Sequence, residues 1–82
     1  MYKLLLVDDN ELDRHGIIRH VNWEKLDVTV IEAANGQLGL EKALVEKPDI
    51  VLTDISMPYM NGIEMTKQII EQNDKIQVIF MS

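Results

Sequence analysis

Two short stretches hold the residues that could do chemistry. L-L-L-V-D-D-N-E-L-D, residues 4–13, runs from an apolar segment into the adjacent carboxylates Asp8 and Asp9. D-I-V-L-T-D-I-S-M-P, residues 49–58, follows the same plan and stops its apolar run at Asp54. Carboxylates brought close together raise one another's pKa and cannot all stay ionised unaided. A hard divalent cation removes the conflict. Mg²⁺ suits it, because it takes one or two carboxylates and keeps positions for waters and phosphate oxygens. With its charge partly neutralised, one Asp oxygen can attack a phosphoryl group in line and form an acyl phosphate. Taken singly, each stretch also has a plain structural use. An acidic pair after a strand commonly caps a helix, and an Asp before Ile-Ser-Met-Pro can serve a turn. The chemistry requires the two stretches to meet.

The surrounding pattern predicts that they do. Lys3–Asp8, Val28–Ala33, Ile50–Asp54 and Ile76–Met81 are short runs rich in Leu, Ile and Val. They mostly lack polar alternation, so they read as strands covered on both faces. Segments of helical spacing lie between them. The first, from about Glu11 to Val21, places Leu12, Ile17 and Val21 on one side, with Asn10 as its cap. The second starts after Asn35-Gly36, sets Leu40, Ala43 and Leu44 on a stripe, and stops before Pro48. The third follows Asn61-Gly62, carries Met65, Ile69 and Ile70 inward, and ends near Asn73-Asp74.

The order β-α-β-α-β-α-β implies parallel strands joined by right-handed helical crossovers. In an open sheet of this kind, ligands bind beyond the carboxyl ends of the strands where the strand order reverses. With the flavodoxin-like order 2-1-3-4, that crevice lies between the first and third strands, which end in Asp8-Asp9 and Asp54. Neighbouring strands are about 4.8 Å apart, so the three carboxylates converge on one pocket.

Bulk properties narrow the function classes. Eighty-two residues make one small domain, 46% apolar and 27% charged, within the ordinary globular range. There are no cysteines, which excludes disulfides and thiolate metal sites. The apolar runs are far shorter than the roughly 20 residues of a membrane helix, and no signal-peptide order opens the chain. A cytoplasmic protein with no membrane contact is the expectation. A net charge of −6 opposes contact with phosphate backbones, so DNA would have to be touched by another part of a longer protein.

Asp8-Asp9 after L-L-L-V, then D-I-S-M-P-Y-M-N-G from Asp54 to Gly62, then V-I-F-M-S at 78–82, resemble the receiver domain of two-component response regulators. The stretch Asn22-Trp23-Glu24-Lys25-Leu26 is similar to receivers fused to AraC-type DNA-binding domains. The resemblance implies that Asp54 accepts a phosphoryl group from the phosphohistidine of a sensor histidine kinase. It implies that Asp8, Asp9, Asp54 and the backbone carbonyl of Ser56 hold Mg²⁺. It further implies that Ser82 hydrogen-bonds the phosphoryl oxygens and helps to switch the surface, in a pre-existing two-state equilibrium. By the same resemblance, residues 1–82 form the N-terminal two-thirds of one receiver domain. A fourth helix, fifth strand and fifth helix would be absent, and with them the family's strand-five lysine. Lys67 and Lys75 precede the fourth strand and do not replace it by position.

Two expectations follow for partners and packing. Met57 and Met60, near Asp54, are the methionines placed to touch a kinase. The fourth strand, with Val78, Ile79 and Phe80, would present an exposed edge, so the fragment is expected to self-associate or swap elements. His15 and His20 read as surface residues, and Trp23 as a plug at the edge of the core. Residues 8–13 resemble the start of an EF-hand loop but lack its central glycine and set Leu12 at a ligand position. Two rival functions complete the reading. A Mg²⁺-dependent haloacid-dehalogenase-like phosphatase would need Asp-x-Asp after the first strand, whereas Asn10 stands two places after Asp8 and Ser56 two after Asp54. A phosphorylation-independent interaction fragment would have no need of the acidic set.

Overall fold

The computed structural model describes residues 1–81, so Ser82 lies outside the described residues. The elements run β1 (Tyr2–Val7), α1 (Glu11–His20), β2 (Val28–Ala33), α2 (Gly36–Glu46), β3 (Ile50–Asp54), α3 (Gly62–Gln72) and β4 (Gln77–Met81). The strands form one parallel sheet in the order β2-β1-β3-β4. This is the expected flavodoxin-like arrangement. Strand ends move by one residue: Asp8 lies just past β1, although its amide still donates to the Ala33 carbonyl at 3.2 Å.

The path from β1 to β2 and back to β3 reverses direction across the sheet. Right-handed crossovers therefore put α1 on one face and α2 with α3 on the other. Alternation divides β1 accordingly. Leu5 and Val7 join Val51, Ala43, Met65 and Ile69 in the core under α2 and α3. Leu4 and Leu6 point to the opposite face and are also buried. Helix α2 packs close because Gly39 offers no side chain; a Cβ there would stand 2.6 Å from Met65 Sδ and 3.0 Å from Val7 Cγ2.

Each helix starts on an asparagine directly beyond a strand or its loop. The Oδ1 atoms of Asn10, Asn35 and Asn61 accept from the amides of Asp13, Leu38 and Glu64 at 3.0, 2.8 and 2.9 Å. Such caps satisfy amides that have no partner within the helix. Lys47 ends α2 in the left-handed region, at φ 50°, and Pro48 follows.

Several expectations need correction. The Leu12-Ile17-Val21 stripe is not a core face: no residue of α1 is buried, and Leu12 is 79% exposed. The spacing identified a face that borders an open groove: Ile17 is half-buried, while Leu12 and Val21 are exposed. Ile70 points outward, because the inward side of α3 is set by Met65, Thr66 and Ile69. Leu44 is likewise exposed, and Ala43 holds the α2 side of the core. Met57 is buried in the core cluster and is not a surface contact. Val78 is packed against that cluster, while Ile79 and Phe80 are exposed as expected. Trp23 is half-buried.

Candidate functional site

The carboxyl ends of β1 and β3 lie side by side, with Val7 opposite Thr53 in the ladder. Asp8 and Asp9 follow the first of these strands, and Asp54 closes the second. One carboxylate oxygen from each of the three lies within 4.8 Å of the others. Asp8 is buried at 4% exposure, Asp54 is half-buried and Asp9 is exposed, so the cluster has a dry floor and a wet rim.

Local hydrogen bonds fix each member. The Asn10 amide donates to Asp8 Oδ1 at 2.9 Å, closing a tight turn before α1. The Ser56 amide donates to Asp54 Oδ1 at 3.3 Å. Thr53 Oγ1 donates to the Asp54 carbonyl at 2.9 Å, anchoring the end of β3. The loop from Ile55 to Asn61 then folds back, and the Gly62 amide donates to the Ile55 carbonyl at 2.9 Å. Gly62 fits there only without a side chain, because a Cβ would run into the Asp54 carbonyl.

Burial pushes the Asp8 carboxyl above its usual 3.8; the Asn10 amide opposes the rise, and the charges of Asp54, Asp13 and Asp9 add to it. Among the described residues no ion pair involves Asp8, Asp9 or Asp54. The donor set is all hard oxygen. Ligands of an octahedral Mg²⁺ ion stand about 3 Å apart when adjacent and about 4.2 Å apart when opposite, and the three oxygens lie near that range. The residues fit a hard divalent cation.

An open groove of about 570 Å³ leads to Asp8 and Asp54 between α1 and the sheet, bordered by Leu12, Ile17, Val21 and Met81. Met81 is the ladder partner of Asp54, which sets the end of β4 at the same rim. Of the expected site residues, Asp8, Asp9 and Asp54 converge and Ser56 adjoins Asp54 through its amide. Ser82 lies outside the described residues. Arg14 and Glu32 were not singled out from the sequence. The Arg14 guanidinium donates to the Asp8 carbonyl at 2.8 Å and to Glu32 at 2.9 Å. A basic residue one turn into α1 was the only sequence signal for them. His20 is exposed as expected, whereas His15 is half-buried with its Nε2 3.8 Å from Glu32.

Comparison with known proteins gives a concordant result. The family model described as response regulator receiver domain matches residues 4–82. The chain is 37% identical to an uncharacterized transcriptional regulatory protein, YesN, of Bacillus subtilis, over the whole chain and 23% of that protein. It is 40% identical to a protein-glutamate methylesterase/protein-glutamine glutaminase of Colwellia psychrerythraea, over 99% of the chain and 21% of the relative. Among solved structures, a two component transcriptional regulator AraC from Clostridium phytofermentans superimposes with a TM-score of 0.93 at 37% identity, covering the whole chain and 67% of that structure. The chain thus spans just over a fifth of the length of these two curated relatives. With its acidic set at the switch point of a 2-1-3-4 parallel sheet, the chain belongs to the response regulator receiver domain family, the signalling module of two-component systems.

Proposed function

We propose that this domain is a phosphoacceptor switch that receives a phosphoryl group from a sensor histidine kinase on Asp54. The observation that carries the reading is the convergence of three carboxylate oxygens, from the ends of β1 and β3, within 4.8 Å. Asp8, Asp9, Asp54 and the backbone carbonyl of Ser56 would hold Mg²⁺. When bound, the cation offsets the charge of the carboxylates and of the incoming phosphoryl oxygens.

An Asp54 oxygen attacks phosphorus in line as the P–N bond of the phosphohistidine breaks. The electron pair returns to the imidazole nitrogen, and an acyl phosphate remains on the domain. Asp54 is suited to this because it is half-buried at the inner end of an open groove and carries no ion pair among the described residues. Ser82 would then hydrogen-bond the phosphoryl oxygens and draw the adjoining loop inward. A swing from mostly inactive to mostly active needs about 5 kcal/mol of differential interaction. The output lies in a separate domain of a cytoplasmic protein. The relatives include both transcriptional regulators and a methylesterase, and the AraC-type resemblance favours transcription.

Labelling by acetyl phosphate with Mg²⁺ tests the assignment. Wild type takes up about one phosphoryl group per chain and Asp54→Asn takes up none. Equal labelling of the two would contradict it. Catalytic turnover of small phosphate esters would favour the phosphatase reading instead.

A further inference from the structure

Arg14 lies on α1, one turn past the Asp8–Asp9 pair, with its side chain only 12% exposed. Its Nη1 donates to the Asp8 backbone carbonyl at 2.8 Å, and its Nε donates to Glu32 Oε1 at 2.9 Å. Glu32 sits on β2, opposite Leu6 of β1. Lys42 Nζ donates to its backbone carbonyl, which ties β2 to α2 at the same level. A planar guanidinium can serve a carbonyl and a carboxylate at once because its donors form a rigid fork.

The peptide groups on both sides of the Asp8 Cα are held, the following one by Arg14. The Asp8 amide donates to the Ala33 carbonyl at 3.2 Å and the Asp8 carbonyl accepts from Arg14. Rotation of the Asp8–Asp9 peptide, whose carbonyl Arg14 holds, would swing the Asp8 and Asp9 carboxylates apart. A mobile cation so near three carboxylates would also pair with one of them. Arg14 does not, because Glu32 holds it at the backbone.

We propose that Arg14, clamped by Glu32, is a positioning residue that fixes the Asp8–Asp9 peptide and keeps the neighbouring carboxylates open for a divalent cation. This rests on the reading of the acidic cradle as a cation site. The guanidinium does not touch the cation or the phosphoryl group; it acts through the peptide it holds.

Calorimetric titration of Mg²⁺ into the full-length protein tests the idea, together with amide hydrogen exchange in the metal-free state. Arg14→Lys, which supplies only one of the two bonds, and Glu32→Ala, which releases the guanidinium, each weaken Mg²⁺ binding about tenfold. Glu32→Gln keeps the acceptor and stays within about twofold of wild type. The double variant Arg14→Lys/Glu32→Ala is no weaker than either single one, since both break one clamp. In both weakened variants residues 8–14 exchange faster while residues 50–54 do not change. Unaltered affinity in a folded Arg14→Lys protein overturns the proposal, as does faster exchange shared equally by residues 50–54. Should Arg14→Lys not fold, Glu32→Ala against Glu32→Gln makes the same comparison. If wild type binds no Mg²⁺, the cation reading itself falls, and exchange alone decides the clamp: local acceleration upholds it and none overturns it.

Discussion

At the scale of single residues, the site works against the stability of the fold that carries it. Asp8 is buried beside other carboxylates, and burial first, then their charges, raises its pKa in the folded state above the 3.8 of the unfolded chain. A group shifted upward favours folding below its unfolded pKa, and that contribution vanishes as pH rises through the folded value. Above that value the buried carboxyl therefore costs the metal-free domain stability relative to low pH. Asp8→Asn, whose Oδ1 still accepts from the Asn10 amide, should raise the metal-free Tm at pH 7 by a few degrees, about 5 °C or less. The gain should shrink as pH falls into the range where the folded protein protonates Asp8. Thermal melts with a chelator present measure both. With Mg²⁺ the order reverses: a ligand at a hundred times its Kd adds about 2.7 kcal/mol to wild type, and most of that is lost in Asp8→Asn. The carboxylate set was legible in the sequence because each member ends an apolar run, and strand ends on this fold share one rim. The Arg14–Glu32 clamp was not, because it joins a helix to a strand at a spacing that no periodicity marks.

At the scale of elements, the glycines show which helices are held close and which are free. All four lie in helices, and three of them, one from each helix, meet neighbours of different kinds. A Cβ at Gly62 meets the Asp54 backbone carbonyl, which cannot yield without moving the end of β3. A Cβ at Gly39 meets the Met65 thioether and Val7 methyls, of which the sulfur is flexible. A Cβ at Gly16 meets nothing within 4 Å. The expected order of stability is therefore Gly16→Ala above wild type by about 0.5–1 kcal/mol from helix propensity alone. Gly39→Ala falls below wild type by about 1–3 kcal/mol, as overpacking does, and Gly62→Ala lies lowest. Denaturant titration of the three variants checks the ranking; a stabilised Gly62→Ala would contradict it. Element positions themselves were readable to within a residue or so, because Asn10, Asn35 and Asn61 each precede a run of helical spacing; Asn10 caps its helix as expected, and Asn35 and Asn61 turn out to cap theirs. What the spacing could not tell is which apolar stripe is covered. Ile69 is buried and its neighbour Ile70 is not; Met57, in a loop with no periodicity, fills the core.

At the scale of the whole molecule, the chain is as compact as its length allows but unevenly covered. Its radius of gyration is 11.6 Å, against about 12 Å for a folded domain of this size. Cover thins across the sheet toward β4. On the α1 face the ladder sets Leu6, Leu52 and Ile79 in one row, passing from fully buried to half-buried to 53% exposed. On the other face the row of Val7, Thr53 and Phe80 ends with Phe80 at 44% exposure. Among the described residues β4 pairs only with β3, so its outer edge offers free backbone groups flanked by apolar side chains. Such an edge templates pairing with another strand. The 82-residue chain, prepared by itself, should therefore self-associate in a concentration-dependent way. Its net charge of −6 opposes this at low ionic strength, and added salt should strengthen the association by screening that repulsion. Ile79→Lys places a charge on the open edge and should return the chain toward monomer, with little effect on folding because the side chain is half in solvent already. Sedimentation velocity over a range of protein and salt concentrations follows the change. A wild-type chain that stays monomeric throughout would mean that the exposed row at β4 is tolerated as it stands, and that the edge is not a pairing surface.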